Sequence, residues 1–447
     1  YFIGSQMKQQ YTDLYTNNKT LLEQHGAPCI NAIRSASAAA FDITGFPTLK
    51  DEAYLYCPTL NYLSVDFGLN LKQIKPKVSE KELFHCSVPG INSYIVIMVN
   101  DQLHAISDEL PEGVEICSLT DACKRFPKQI EEYFNSLASK HADAMTHFNN
   151  MLAQNGYFIY IGKNVCLEQP MQIVRVLDTK VEQMTVARNL ILIEENANAK
   201  LLVCDHNRSN VRNFHDSTTE IIVKLNGNLE LYELESTSET TVSHAQAFVS
   251  LDKNSNLVLN QLTLYNGTTH RHTIVDLDGE HSNLWLGGMV LNDKVQKTEN
   301  YTVINHNASY CNSKELYKYI LDEESEGAFS GRIVVGDGTK QTEAYQSNRN
   351  LCLKPTTRMH AKPQLEIYAD DVKCGHGATT GQLDENALFY MQARGIGKEE
   401  ARMLLMQAFV ADVVDKISVE PLRDRLHMMI EKRLRGERLK CTNCSLC

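Results

Sequence analysis

No apolar run in the sequence approaches the roughly eighteen residues that a membrane-crossing helix needs, and the N-terminus lacks the basic-then-apolar layout of a secretory leader. A soluble, cytoplasmic protein without a membrane role is expected. Nor does any block of Lys or Arg interrupt a sequence of formal net charge −11, so its surface repels phosphate and no nucleic-acid partner is expected. The one basic stretch, Arg423 to Lys440, alternates its charges with Glu and apolar residues in the manner of an exposed helix face. Cysteine is present thirteen times but without the spacing of a disulfide framework, and the odd count favours free thiols in a reducing compartment. Catalytic signatures are missing too. Gly395-Ile-Gly397-Lys398 lacks the first glycine and the following hydroxyl of a nucleotide loop, and Gly336-Asp-Gly338-Thr-Lys340 fails the same test. No Gly-x-Ser-x-Gly elbow, His-Glu-x-x-His helix or dinucleotide fingerprint occurs. If ATP is needed, a partner must bind it.

What is present divides into three zones. The opening residues 1–6 read as a tag remnant. From Met7, Leu14, Leu21 and Leu22 fall at helical spacing, and Gly45-Phe-Pro-Thr-Leu-Lys-Asp-Glu52 breaks that pattern because Pro47 cannot continue a helix. Two apolar runs about Asn100-Asp101 predict a hairpin over 94–103. Helix returns over 121–155, with Ile130, Phe134, Leu137, Met145, Phe148, Met151 and Leu152 as its apolar stripe. These elements make an N-terminal mixed, largely helical domain over 7–150.

In the middle zone short strands recur. The leucines Leu201, Leu229, Leu257 and Leu284 lead four of them at intervals of 28, 28 and 27 residues, separated by Asn, Asp, Gly or Ser and without helix-length segments. A period of this size built from strands and polar turns indicates a solenoid whose coils bury their inward side chains on one another. The fold class is therefore mainly β, with a right-handed parallel β-helix core over 151–380; an antiparallel sandwich with coincidental spacing is the alternative. Its open ends need cover, and the N-terminal domain and C-terminal helices are the expected caps. A small helical domain follows over 381–440, with Leu404, Leu405, Ala408, Phe409 and Val413 expected on one face, part of it available to a partner. A Cys-rich tail occupies 441–447.

Chemistry concentrates where the solenoid gives way to helices. Cys374 and His376 stand two apart on strand-like sequence and project to the same side. A thiolate and an imidazole suit soft metals and iron–sulfur centres, but two ligands are too few to close a site, so the others would come from another subunit. Asp370 and Asp371 read as turn support. Cys441, Cys444 and Cys447 match three of the four cysteines of a ferredoxin run without the fourth, and form a weaker, accessory candidate. His270-Arg-His272, Cys204, Cys311 and Cys352 read as ordinary β-helix residues.

The stretch Pro363-Gln-Leu-Glu-Ile-Tyr-Ala-Asp-Asp-Val-Lys-Cys-Gly-His-Gly-Ala-Thr-Thr-Gly381, with Leu383-Asp-Glu and Leu388-Phe-Tyr-Met-Gln-Ala-Arg-Gly-Ile396 after it, resembles the SufD branch of the SufB/SufD family of iron–sulfur cluster assembly scaffolds. Gly45 to Glu52 and Leu110-Pro-Glu-Gly-Val114 are similar to that family's N-terminal motifs, so the resemblance runs from about residue 7 to 435. It departs from the family after Glu52, where Ala-Tyr54-Leu-Tyr-Cys-Pro-Thr59 replaces the usual Trp and Lys-Tyr-Thr, and in the cysteine tail.

The resemblance implies a non-catalytic scaffold with a parallel β-helix core. It implies pairing with a SufB-like subunit and docking of a SufC-like ABC ATPase on the C-terminal helices. Sulfur would come indirectly from a cysteine desulfurase, ATP would act only through the partner, and a transient iron–sulfur cluster would form at the SufB–SufD interface beside Cys374 and His376. Exposed β-helix edges near Cys374 make a homodimer the expectation for the protein alone. A SufB-like subunit is the alternative within the family, although SufB relatives tend to read Glu-His-Glu-Ala-Thr at this point. Outside it, the alternatives are a metal-binding protein using the cysteine tail and a carbohydrate-active β-helix.

Overall fold

In the computed structural model, described here for residues 2–57, 59–75 and 90–437, two ten-stranded sheets face each other across a shared core. From Tyr157 onward the polypeptide alternates between them, and each strand pairs in parallel with the strand one coil earlier and one coil later. This is a parallel β-helix. Its inward columns are the reason it holds together. On the first sheet Ile191, Ile221, Val249, Val275, Ile304 and Ile333 stand in register, so β-branched side chains stack coil upon coil. On the second, Met171, Leu201, Leu231, Leu259 and Leu286 do the same.

The repeat differs from the sequence expectation at one step. Leu229 lies opposite Ala199, and Leu201 opposite Leu231, so the first coil is two residues longer than the leading leucines suggest. A slip of two keeps every side chain on its own face, which is why the pattern remained readable. The turns between coils carry their own ladder. Asn164, Asn196, Asn226 and Asn254 adopt left-handed backbone (φ 62°, 57°, 56° and 58°), and each amide donates to the carbonyl oxygen of the one before at 2.8, 2.8 and 3.1 Å. Asparagine tolerates this conformation because its short side chain bonds locally.

The N-terminal residues form helices Phe2–His25 and Pro28–Thr44, a 3-10 turn Glu52–Tyr54 and a short helix Thr59–Leu63, then four short helices between Leu119 and Leu152 in place of the long one expected. Pro127 opens the second, left-handed Asn135 precedes the third, and an Asp143–Thr146 capping box starts the fourth. These helices lie across the outer face of the first sheet. Glu220, wholly buried, fastens them: its carboxylate accepts the backbone N–H of Asn135, Leu137 and Ala138 at 2.7, 2.9 and 3.0 Å and pairs with Arg188 at 2.9 Å. The expected hairpin is present as Tyr94–Val99 and Gln102–Ile106, turning on left-handed Asn100 and Asp101. Its first strand pairs with Met171–Leu177 and so covers the N-terminal end of the second sheet.

The C-terminal helices Glu385–Ala393, Lys398–Val414 and Glu420–Leu434 do not cap the other end. They lie on the outer face of the second sheet, where Met406, Val410, Val413, Leu422 and Leu426 pack on Leu202, Tyr232, Leu262 and Trp285. The buried face of the long helix is thus Met403, Met406, Val410, Val413 and Val414; the expected Leu404 and Ala408 are exposed. Val413 of the expected stripe is buried and Phe409 packs partly on the same cluster; no single face stands out because nearly every side of this helix carries apolar residues.

Replacing Asn226 by Val is expected to lower stability by about 1–2 kcal/mol, since a β-branched residue resists the left-handed backbone, whereas Asn226→Gly should stay within about 1 kcal/mol of the parent. Urea unfolding midpoints of the two variants check this.

Candidate functional site

The last coil ends in the strands Arg358–Ile367 and Val372–Gly381, and each is the outermost strand of its sheet at this end. The glycine-rich run around Cys374 is therefore strand, and the turn lies just before it. Asp370 and Asp371 stand exposed in that bend, where the backbone carbonyl of Asp371 accepts the N–H of Gln341 at 2.6 Å.

Register places the two predicted site residues in one setting. Cys374 lies opposite Ala344 and His376 opposite Gln346, so both continue inward-facing columns. Cys374 is half-buried against the solenoid core. Burial lifts its thiol pKa, only partly opposed by a hydrogen bond from the Ala344 backbone. His376 is exposed and lines a groove of about 420 Å³ with Tyr345, Arg349 and Asp412.

Beneath His376 the column changes character, which the sequence reading missed. After Leu231, Leu259 and Leu286 the same register position holds Glu315, then Gln346, then His376. Glu315 is fully buried and accepts hydrogen bonds from Thr302 at 2.6 Å and Gln346 at 2.7 Å. Burial raises its pKa to about 7, only partly opposed by those two donors. The apolar core thus ends in a series of polar groups leading to the surface at His376. Aligning the coils past Leu286 would have revealed it, because Ser313-Lys-Glu315, Ala344-Tyr-Gln346 and Cys374-Gly-His376 fall in the same places.

A second polar cluster lies elsewhere, under the segment Glu52–Cys57 on the outer face of the first sheet. Here His244, His270 and His272 are buried together with Tyr54, Asp216, Cys57 and Glu299, and Asp143 stands half-buried beside them. Asp216 pairs with His244 at 2.7 Å, and Tyr54 donates to Asp143 at 2.6 Å. Burial opposes ionisation of Asp143, but His272, Tyr54 and the Thr146 N–H outweigh it and hold the carboxyl well below its ordinary range. His270 and His272 stand in register on the solenoid strand Thr268–Leu277, with their rings buried under this segment. Arg271 between them points inward and pairs with Glu235 at 2.8 Å. Cys204 and Cys311 are buried as small apolar groups, while Cys441, Cys444 and Cys447 lie outside the described residues.

Comparison with known proteins assigns this architecture. The family model described as SUF system FeS cluster assembly, SufBD core domain, matches residues 176–409, and that of the SufBD protein N-terminal region matches residues 5–173. The chain belongs to the SufBD family. It is 26% identical to the iron–sulfur cluster assembly protein SufD of Escherichia coli over 88% of this chain and 90% of that protein. It is also 26% identical to SufD of Bacillus subtilis over 74% and 76%, and to the chloroplastic protein ABCI7 of Arabidopsis thaliana over 89% and 84%. As a SufBD protein it is an iron–sulfur cluster assembly protein, and among the described residues no helix is long and apolar enough to cross a membrane.

In this SufBD protein Glu315 holds its proton more tightly folded than unfolded. Its contribution to stability is complete below about pH 4.5 and is lost as pH rises through about 7. Glu315→Gln should remove that loss, so the variant gains on the order of 2–4 kcal/mol relative to the parent between pH 5 and 8. Chemical denaturation of both proteins across that range tests it.

Proposed function

We propose that the protein is a non-catalytic scaffold subunit of the SUF machinery, pairing with a SufB-like subunit through the C-terminal end of its solenoid. The observation that carries this reading is the outer edge of Val372–Gly381, which has no strand beyond it among the described residues and bears Cys374 and His376. An uncovered strand edge presents backbone donors and acceptors to a partner. Exposed Tyr345, Ile367 and Tyr368 add an apolar rim to the same end.

Cys374 and His376 supply two ligands to the nascent cluster, and the partner supplies the rest. The cluster is the cargo of this interface, built on iron and on sulfur that reaches the complex from a cysteine desulfurase. Residues 381–440 act as the docking domain for a SufC-like ABC ATPase. Phe389 and Tyr390, 73% and 59% exposed, and exposed Leu404 give that domain an apolar contact surface. ATP acts only through that partner. Without SufB, the same edge serves a homodimer. Among the described residues no cysteine is joined in a disulfide, which suits the reducing cytoplasm.

Co-expression with a SufB-like subunit and an ABC-type ATPase is expected to yield a stable ternary complex; failure to bind either would defeat the proposal. In that complex His376→Ala should leave folding intact, because the ring is exposed, yet reduce iron acquired per complex by at least about tenfold. A variant that assembles and loads iron normally would remove His376 from the site.

A further inference from the structure

We propose that Cys57, His270 and Glu299 form a second metal site, internal to this protein, that takes a single divalent transition-metal ion of the Zn²⁺ type. The site goes beyond the scaffold reading and needs no partner subunit. His270 and Glu299 sit directly opposite each other on the adjacent strands Thr268–Leu277 and Lys297–His306. Tyr54 stacks on the His270 ring, with centroids 4.9 Å apart, and so sets the segment that carries Cys57 over both strands. The Cys57 sulfur, a His270 ring nitrogen and a Glu299 oxygen all lie within 4.8 Å of one another.

Two independent features mark this as a ligand site and not a packed polar corner. The first is unmet bonding. His270 is 1% and Glu299 5% exposed, yet both ring nitrogens and both carboxylate oxygens are without a hydrogen bond of good geometry. Their nearest approach to each other, Nδ1 to Oε2, is 3.3 Å. Buried ionisable groups are ordinarily well paired or bound to a metal, and here Glu299 and the Cys57 thiol approach the buried His270 ring only in poorly aligned contacts that an ion would replace with direct bonds. The neighbouring His244 shows the contrast, since Asp216 satisfies it.

The second feature is space. A cavity of about 20 Å³ opens beside Cys57 and Glu299, bordered by Thr268 and Lys297, which is room for one water molecule. Three protein donors and one water make a four-coordinate site. Thiolate, imidazole and carboxylate together select Zn²⁺, Co²⁺ or Fe²⁺ over Ca²⁺ or Mg²⁺, which favour all-oxygen shells. The Tyr62 hydroxyl, 2.7 Å from the Cys57 sulfur, is placed to donate to the thiolate in support of the ligand. Bound there, the ion ties the Glu52–Cys57 segment to two successive coils.

The test uses the full-length protein with Cys374, Cys441, Cys444 and Cys447 changed to Ser, stripped with a chelator and titrated with Co²⁺. The expected result is one equivalent bound with a thiolate-to-cobalt charge-transfer band, displaced by Zn²⁺. In the same background Cys57→Ser should lose the band, and Glu299→Gln should keep it while binding at least about tenfold more weakly. Circular dichroism checks the fold of each variant, and if Cys57→Ser does not fold, Glu299→Gln decides. No bound Co²⁺ in the parent background, a band that survives Cys57→Ser, or unchanged affinity in Glu299→Gln would each overturn the proposal.

Discussion

In a parallel β-helix every strand has its backbone hydrogen bonds satisfied only by the coils before and after it, and this constraint shapes the whole molecule. Internal coils meet it automatically. The first is relieved by the antiparallel hairpin and by Val114–Ser118, which pairs with Tyr157–Ile161. The last coil is not relieved among the described residues, because the C-terminal helices that could have covered it lie on the outer face of the second sheet, held by Trp285, Tyr232 and their neighbours. The edge left open is the one that carries Cys374 and His376, and an uncovered edge is a surface open to a partner.

The interior prepares that edge. For five coils the second sheet's column is methionine and leucine, and then it becomes Glu315, Gln346 and His376. Replacing leucine with a buried carboxyl gives up hydrophobic stabilisation, and the hydrogen bonds from Thr302 and Gln346 offset only part of it. On the opposite face the balance is different: Glu220 with Arg188, and Asp276 with Lys140 and His141, bind helices to the sheet through buried charge that is well paired. The Cys57–His270–Glu299 group is likewise buried, but its ion-pair contact, 3.3 Å from His270 to Glu299, is longer than those pairs.

Much of the architecture was legible from local signals. The coil period followed from leucines spaced by turn residues, and the hairpin followed from Asn100-Asp101. Cys374 and His376 were found because strand alternation puts residues two apart on one side. The misses have physical causes. The length of the first coil escaped because a slip of two preserves facing, and the buried side of helix Lys398–Val414 was only partly legible because apolar residues surround it. Where the helices would lie depends on contacts between Met406 and Tyr232, residues far apart in sequence, which no local pattern encodes. The grouping of Cys57 with His270 is likewise a tertiary event. It joins the Glu52–Cys57 segment to a strand more than two hundred residues later.

The central claim is that the outer edge of Val372–Gly381 is a surface built to be covered by a second subunit. Hydrogen–deuterium exchange of its backbone amides, with and without a bound SufB-like partner, tests this most directly. The account predicts that the outward amides of this strand exchange rapidly in the free protein and become strongly protected in the complex. A complex that forms while those amides continue to exchange at the free rate would contradict it.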